Sequence, residues 1–580
     1  MPFDVLVTRA VATELEALVG SRVERVVQSG AEEVAVAFYG AGVKAWLFFS
    51  AQAAHARLNL APGQVGREDR VSPFLLALRH HLEGAQLQAV SQPPMERVII
   101  LRLQGPAIRG GRAYHLIAEI MGRHSNLILV DPETDQIIDG LKRYSHVLSR
   151  YREVLPGRPY LSPPRNKVNP LDLTEEEWPR VLLSAGEGRP LEKVLVERLE
   201  GFGPCLAREL AVRAGLDPGR SLEFLGAYDF ARLWQAWREL RAVMEEKRFE
   251  PTLIVDRGRV VDYAAIALRQ FEGLEQVRLP TMSSAIDRYY SDYLSREVFD
   301  REKRRLKQIV LQEQERWVRK LEVQEEILLD AEKAEVHRQA GQVILCNLYR
   351  LERGMRSVEG PNPDRPDEMI SVELDPSLDP AENAQRFFRR YRKAKVLAEK
   401  AAAQLEQARR ELAYWESVAL ALERAETRED LAEIADEVGA QLRPAGRRSG
   451  KRGKQKPAEP LRFTSPDGYD VLVGKNNRQN DYICVRLARP EDVWLHARGV
   501  AGAHVLVRNP SGGPLPAPTL RFAAGLAAFF SRASGSRAVP VDYTLAKHVH
   551  KPKGARPGMV LYTHQSTLAV PPTPPSGGMN

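Results

Sequence analysis

Residues 387–422 read FFRRYRKAKVLAEKAAAQLEQARRELAYWESVALAL. Phe387, Tyr391, Ala394, Ala398, Ala401, Leu405, Ala408, Leu412, Trp415, Ala419 and Leu422 follow one another in unbroken steps of four and three. That spacing keeps apolar side chains on one line of a helix and is the seam of a coiled coil. Upstream, Leu306, Val310, Trp317, Leu321, Leu328 and Ala331 supply a matching stripe on a second long helix predicted from about Ser284 to Glu352. Between the two lie Pro361, Pro363, Pro366, Pro376 and Pro380, which a helix cannot accommodate in its interior. Two long helices joined by such a breaker fold back as an antiparallel hairpin. At about 1.5 Å per residue, an arm of this kind projects several tens of ångströms. A parallel coiled coil between two chains is the competing reading, and the breaker favours the intramolecular arm.

The arm divides the chain. With 580 residues there is material for three or more domains. The spacing and composition place an amino-terminal domain at 1–172, a helical connecting region at 173–283, the arm at 284–432, a basic linker at 433–460 and a carboxy-terminal domain at 461–575. The 84 Lys and Arg against 76 Asp and Glu give a formal charge of +8, so any nucleic-acid surface must be local. Cys205, Cys346 and Cys484 are far apart, which argues against a disulfide framework or structural zinc and for a reducing cytoplasm. Asp4, Arg9, Glu14 and Glu16 interrupt the first twenty residues, and no later apolar run reaches membrane-spanning length, so neither secretion nor a membrane is expected.

The amino-terminal region alternates β-branched and aromatic residues in short runs: Val23 to Gln28, Glu33 to Tyr39, Lys44 to Ser50, Arg97 to Leu103, His115 to Ile120 and Asn126 to Val130. A helix with Val11, Leu15, Leu18 and Val19 opens it, and another runs from about Pro73 to Glu83; the domain is α+β and ends near the Pro-rich segment 156–170. In the connecting region, Leu199-Glu200-Gly201-Phe202-Gly203-Pro204 separates two amphipathic pieces in the manner of a helix-hairpin-helix. Such a turn can direct free backbone N–H groups at phosphate, or it can be a plain connector. From Arg443 to Lys456 there are seven Lys and Arg and no acid, the composition of a disordered tether or a phosphate-seeking strap. The carboxy-terminal domain reads as α+β, with strand-like Tyr469 to Val473, Tyr482 to Arg486, Val493 to His496, His504 to Val507, Val539 to Leu545 and Met559 to Thr563, and a helix from Leu520 to Ser531.

Catalytic motifs are scarce. Gly474-Lys475-Asn476 has no phosphate-loop spacing, and Asn476 stands where a magnesium-binding hydroxyl belongs. His80-His81 and His548-x-His550 lack the partners of a metal site, so no cofactor is expected. Pro2, exposed by loss of Met1, could supply a nucleophilic amine as in the DNA glycosylases related to MutM. Those enzymes have a glutamate next and a zinc finger, and here Phe3 follows and no finger exists.

Three carboxy-terminal stretches, GKNNRQND at 474–481, DVWLHAR at 492–498 and GAHVLVR at 502–508, resemble the successive signatures of the NFACT RNA-binding domain, with VDYT at 541–544 and KPKGA at 551–555 continuing the match. LIAEIMGRHSN at 116–126 resembles the hallmark of the NFACT amino-terminal domain, and YREVLPG at 151–157 and NAQRFF at 383–388 also fit. The resemblance covers nearly the whole chain. It implies a multidomain α+β protein: a MutM-like amino-terminal domain without MutM chemistry, a helix-hairpin-helix, a long antiparallel coiled-coil arm and an α+β RNA-binding domain. It further implies a non-enzymatic ribosome quality control factor in the cytoplasm. As a monomer, such a factor binds the large ribosomal subunit, its ribosomal RNA and a trapped peptidyl-tRNA. It also recruits alanyl-tRNA for untemplated alanine tailing, which marks the nascent chain for degradation.

By the same resemblance, tRNA contacts fall on Asp4, Glu96, Arg97, Glu119, Arg123, His124 and Asn126. The family's Asp-Arg pair lies at Glu96-Arg97, with the carboxylate one methylene further out. RNA contacts fall on Lys475, Asn476, Asn477, Arg478, Asp492, Trp494, His496, Arg498, His504 and Arg508. Their chemistry suits RNA, because the lysine and arginines neutralise phosphate and the asparagines reach base or ribose edges. Trp494 offers a stacking surface, although taken alone it is as readily a core residue. Two other classes compete. Some relatives carry a fibronectin-binding name, which suggests a surface adhesin but would require an export signal or anchor, and a DNA glycosylase would require the missing glutamate and finger.

Overall fold

The computed structural model describes residues 3–40, 42–66, 71–147, 151–186, 188–442 and 458–575. Pro2 and the basic stretch Arg443 to Lys456 lie outside the described residues. The chain splits into two compact units, Met1–Arg296 and Glu297–Asn580.

The first unit opens with helix α1 (Val5–Glu16), capped by Asp4, whose Oδ1 accepts from Val7 N at 2.9 Å. Two antiparallel meanders follow. The first is β1 (Arg22–Gly30), β2 (Glu33–Gly40), β3 (Val43–Ser50) and β4 (Arg57–Ala61); the second is β5 (Gln86–Ser91), β6 (Val98–Gln104), β7 (Ala113–Glu119), β8 (Asn126–Asp131) and β9 (Gln136–Gly140). They join through one residue pair, Arg22 with Gln86, into a nine-stranded sheet ordered β4-β3-β2-β1-β5-β6-β7-β8-β9. Helix α2 (Pro73–Leu82) starts on a Ser72 cap with proline at its first position, where the missing N–H costs nothing. Both helices bury their apolar faces in the largest core, with Leu6, Leu15, Leu78 and Leu82 against Val36, Phe49, Leu101 and Leu116.

Helices α3 (Glu177–Leu183), α4 (Leu191–Arg198), α5 (Pro204–Arg213) and α6 (Ala227–Glu245) then pack around Trp178 and Trp237, whose rings stack at 6.2 Å. A three-stranded sheet, β10 (Thr252–Asp256), β11 (Arg259–Ala264) and β12 (Glu275–Arg278), precedes α7 (Met282–Lys333).

The second unit contains α7 from Glu297 onward, α8 (Glu335–Cys346), a hairpin of β13 (Ser357–Asn362) and β14 (Arg365–Glu373), α9 (Pro380–Arg424) and α10 (Arg428–Gln441). Early α7 meets late α9: Leu306 and Val310 pack with Tyr414, Trp415, Val418 and Leu422, and α10 adds Leu431, Ile434 and Val438. At the other end α8 meets early α9 through Ala340, Val343, Ile344 and Ala384. The helices therefore run antiparallel within one chain, as the breaker requires. The first helix, expected as one piece to Glu352, divides at Ala334 and stops at Cys346, where Asn347 Nδ2 donates to Val343 O at 2.8 Å and closes the end. Of the prolines between the arms, Pro361 and Pro366 sit in the strands of a two-stranded ribbon, whose open edges tolerate missing N–H groups, Pro363 lies in its turn, and Pro380 is the first residue of α9; nothing in their spacing announced a hairpin. Residues 433–441, grouped with the linker on composition, continue α10, which a Thr427–Asp430 capping box starts.

The carboxy-terminal sheet has the order β15-β16-β18-β17-β19-β22, formed by β15 (Leu461–Thr464), β16 (Asp470–Val473), β17 (Val493–Ala497), β18 (Val505–Val507), β19 (Val539–Leu545) and β22 (Ser566–Val570). Helix α12 (Ala517–Phe529) packs on it through Ala523, Ala524, Leu526 and Ala527, and β20 (Val549–His550) pairs with β21 (Leu561–Tyr562). The segment Tyr482 to Arg486 is not the expected strand. Asn476 caps α11 (Asn477–Tyr482) by accepting from Gln479 N at 2.9 Å, and a π-helical turn, Ile483–Leu487, continues it. The cap starts a helix that carries the β-branched residues along, and Ile483 is buried against Trp494 and Leu506.

Candidate nucleic-acid interface

In the first unit a cavity of about 900 Å³ opens between the start of α1, the approach to β6, the turn Gly122–His124, the segment 163–167 and the turn joining α4 to α5. Met95 and Gly201 build it. Both have left-handed backbones, at φ 55° and 75°, and a Cβ on Gly201 would sit 2.8 Å from the Met95 carbonyl oxygen. Only glycine lets the helix-hairpin-helix turn lie directly on the residue that precedes Glu96-Arg97. Gln92 Nε2 donates to Glu96 O at 2.8 Å and Ile120 N donates to Arg97 O at 2.9 Å, so the backbone of this pair is fixed from two sides.

The charges on the wall are unevenly matched. Glu96 is held by Arg165, and burial pushes its carboxyl above the usual range. Lys142 pairs with Glu32 at 2.9 Å. Arg97 is half-buried, and its guanidinium makes no hydrogen bond or ion pair with any described residue. Burial lowers its pKa, and the Asp4 charge opposes that. Lys167 is lowered by burial and then by Arg97, and its Nζ donates only to Val196 O, at 2.6 Å. Asp4 is pushed up to about 6 by burial against the pull of its backbone donors and Arg97. On the wall of the same cavity, the backbone N–H groups of Gly201 and Gly203 have no acceptor among the described residues. One cavity is thus lined by two cations without carboxylate partners and by two N–H donors without acceptors among the described residues, a set of groups that suits an anion.

Of the residues expected to touch tRNA, Asp4, Glu96, Arg97, Arg123 and His124 line this cavity. Glu119 and Asn126 do not. Glu119 is fully buried, holds Arg152 through two bonds of 2.6 and 2.5 Å and accepts from Tyr160 Oη at 2.9 Å. Asn126 is buried and bonds the backbone of Lys142 in both directions at 2.9 Å. Both stand behind the wall in this structure, with their side chains bonded internally. Arg165, Lys167 and the Gly201 turn are wall residues that sequence reasoning did not assign to tRNA. The cations of the Pro-rich segment 163–167 were the available signal.

The RNA-binding signatures of the second unit are also largely turned inward. Lys475 pairs with Asp430 at 3.2 Å and Arg478 with Asp436 at 3.7 Å. Asn476 and Gln479 both donate to Glu433 Oε2, at 2.7 and 2.9 Å. Asn477 donates to Ser417 and Glu437, and Glu437 also accepts from Tyr414 Oη at 2.7 Å. The motif therefore docks the domain onto α9 and α10. Asp492 is buried and binds Arg508 at 2.6 Å. Trp494, 1 % exposed, packs against His496 and His504, whose pKa values burial drives down, for His496 to about 4. Arg498 alone of the set is exposed, and it pairs with Asp542 at 3.0 Å. Expected as RNA contacts, these groups hold the domain together; the alternation that makes a strand does not reveal which polar partner a side chain meets. Among the described residues no group of three or more His, Cys, Asp and Glu is arranged to hold a metal, and no helix is long and apolar enough to cross a membrane.

A cation-lined cavity beside a helix-hairpin-helix turn, with a separate α+β domain at the foot of a helical arm, defines a multidomain nucleic-acid-binding class of protein. The chain belongs to the NFACT family: the family model for NFACT N-terminal and middle domains matches residues 4–456, and that for the NFACT protein RNA binding domain matches residues 460–564. Among its relatives is the Rqc2 homolog RqcH of Bacillus subtilis, 34 % identical over 99 % of this chain and 98 % of the relative. The human ribosome quality control complex subunit NEMF is 30 % identical over 15 % of this chain and 8 % of its own length. Among solved structures, the C-terminal part of the fibronectin/fibrinogen-binding protein from Streptococcus suis is 32 % identical over 47 % of this chain and 95 % of that one, with a TM-score of 0.36. MutM from Thermus thermophilus is 17 % identical over 42 % of this chain and 76 % of that one, with a TM-score of 0.21.

Proposed function

We propose that this chain is a ribosome quality control factor that binds large ribosomal subunits obstructed by peptidyl-tRNA and holds a second tRNA, alanyl-tRNA, for untemplated alanine tailing of the nascent chain. The full-length similarity to RqcH and the quality-control name of NEMF support the role. The observation that carries the tRNA part is Arg97, a half-buried guanidinium without an internal partner, facing a cavity with Lys167 beside it. Leaving such a group unpaired costs stability unless a ligand supplies the acceptor. The cavity contains Asp4 and Glu96 as acceptors for base amino groups, so it can read a base edge as well as hold phosphate.

In this reading the chain is not an enzyme, and the ribosome's RNA centre forms the peptide bonds. It acts as a monomer in the cytoplasm, since the arm satisfies its own seam within one chain. Residues 1–283 hold tRNA, the arm from 284 to 432 spans between contacts, the basic linker follows, and residues 461–575 bind ribosomal RNA. Sedimentation of the tagged protein from cells tests the reading. It should co-migrate with large subunits, and migration with small subunits alone would contradict it.

A further inference from the structure

The docked signature motif leaves open which face of the RNA-binding domain meets RNA. Lys475, Asn476, Asn477 and Arg478 are committed to Asp430, Glu433, Asp436 and Glu437, so their contacts would have to be broken first. A different face of the same domain has the opposite character. His548 and His564 stack at 4.4 Å between ring centroids with 29° between planes. His564 is exposed and adopts φ 56°, a left-handed backbone that residues other than glycine rarely take. Thr563 N donates to His548 O at 3.2 Å, and the buried Thr544 Oγ1 donates to Thr563 O at 2.9 Å, so the strained turn is clamped over the first imidazole.

Basic residues accompany the pair. Lys547 and His550 flank His548 in sequence and are exposed. Lys547 N donates to Pro490 O, next in sequence to exposed Arg489, whose guanidinium has no carboxylate partner among the described residues. Two carboxylates touch this group among the described residues: Glu491 on the Lys547 ammonium at 3.2 Å, and buried Asp492, which accepts from Arg489 N at 2.9 Å and leaves the guanidinium free of it. An exposed flat ring, preorganised by a strained turn, with the exposed cations Lys547 and Arg489 on the adjoining segments, matches an unstacked base with its flanking phosphates. A duplex buries its base faces and offers nothing to stack.

We propose that the face built from His548, His564, Lys547, His550 and Arg489 takes an unpaired base of non-duplex RNA, the base on the imidazole stack and its phosphates on Lys547 and Arg489. The proposal rests on the RNA-binding reading of this domain and adds the site and the structural class of RNA. The test uses the full chain with Arg97→Ala and Lys167→Ala, so that the cavity of the first unit does not dominate binding. The probes are a labelled, unstructured RNA oligonucleotide and a fully paired duplex of the same composition, titrated by fluorescence anisotropy.

The background protein should bind the single strand more tightly than the duplex. Adding His548→Ala and His564→Ala should weaken single-strand binding about ten-fold or more while changing duplex binding little. His564→Phe, which keeps a ring, should retain most of the affinity. Unchanged single-strand affinity in the double alanine variant, or equal loss in the alanine and phenylalanine variants, overturns the proposal and leaves the RNA-binding reading standing. Absence of any RNA binding by the otherwise unaltered chain overturns that reading as well.

Discussion

Replacing Gly201 with alanine should loosen the cavity without touching any charged group. The added Cβ would lie 2.7 Å from Met95 Cε and 2.8 Å from Met95 O. The methyl end of Met95 can swing away, but its carbonyl belongs to the backbone that leads into Glu96 and Arg97, so the turn must lift from it. Placing an L-residue at φ 75° adds about 1–2 kcal/mol, and the overpacking adds about 1–3 kcal/mol. The expected loss is therefore roughly 2–5 kcal/mol, concentrated at the contact between residues 199–203 and 93–97. Gly203, two residues on, is the control. Its φ is −102° and nothing lies within 4 Å of a built Cβ. Gly203→Ala weakens a helix cap but restricts the unfolded chain, so it should stay within about 1 kcal/mol of the parent. Hydrogen exchange in the full chain reads both variants locally. Faster exchange at 93–97 and 191–205 in Gly201→Ala alone is the predicted outcome. Equal protection in the two variants would mean that the turn does not rest on Met95.

Three further outcomes follow from the geometry. Asp4 is raised by burial from 3.8 to about 6, so between those values the folded chain holds a proton that the unfolded chain has released. Stability should then fall as pH rises through that window by roughly 2–3 kcal/mol; Asp4→Asn should flatten this part of a denaturant-midpoint profile, and an unaltered slope would refute the assignment. Asn477→Asp sets a carboxylate against buried Glu437, 3.0 Å from the present amide, and should cost about 3–5 kcal/mol in the second unit. Adding Glu437→Gln should recover part of that loss in calorimetry, and no recovery would show that the two side chains do not meet. Glu119→Gln strips half of a buried pair from Arg152 and should lower the melting temperature sharply while leaving the wall residues chemically intact.

The arm was legible because a coiled-coil seam is a local pattern repeated many times, and its prolines forced the reversal. Six strands of the first sheet could be read for the same reason, from alternation in Val23 to Gln28 and its successors. Strands β4, β5 and β9 were not, since Gln86–Ser91 mixes polar residues on both faces and is held chiefly by its neighbours. The site divides along the same line. Arg97 and Asp4 were found through motif resemblance, but Lys167 and Gly201 reach the cavity only through tertiary folding. Asn476 and Asn477 show the reverse case. Polar residues in an RNA-binding signature invite an RNA contact, and only the position of the α10 carboxylates reveals that they are already occupied.

The central claim is that the cavity around Arg97 holds tRNA while other surfaces hold the subunit. Arg97→Ala removes the unpaired guanidinium and should preserve the fold, since no described residue depends on it for a hydrogen bond. The decisive quantity is tRNA recovered per large-subunit ribosomal RNA in complexes purified with the variant and with the unaltered chain. The account predicts undiminished ribosomal RNA with most of the tRNA lost. Equal tRNA in the two preparations would contradict it.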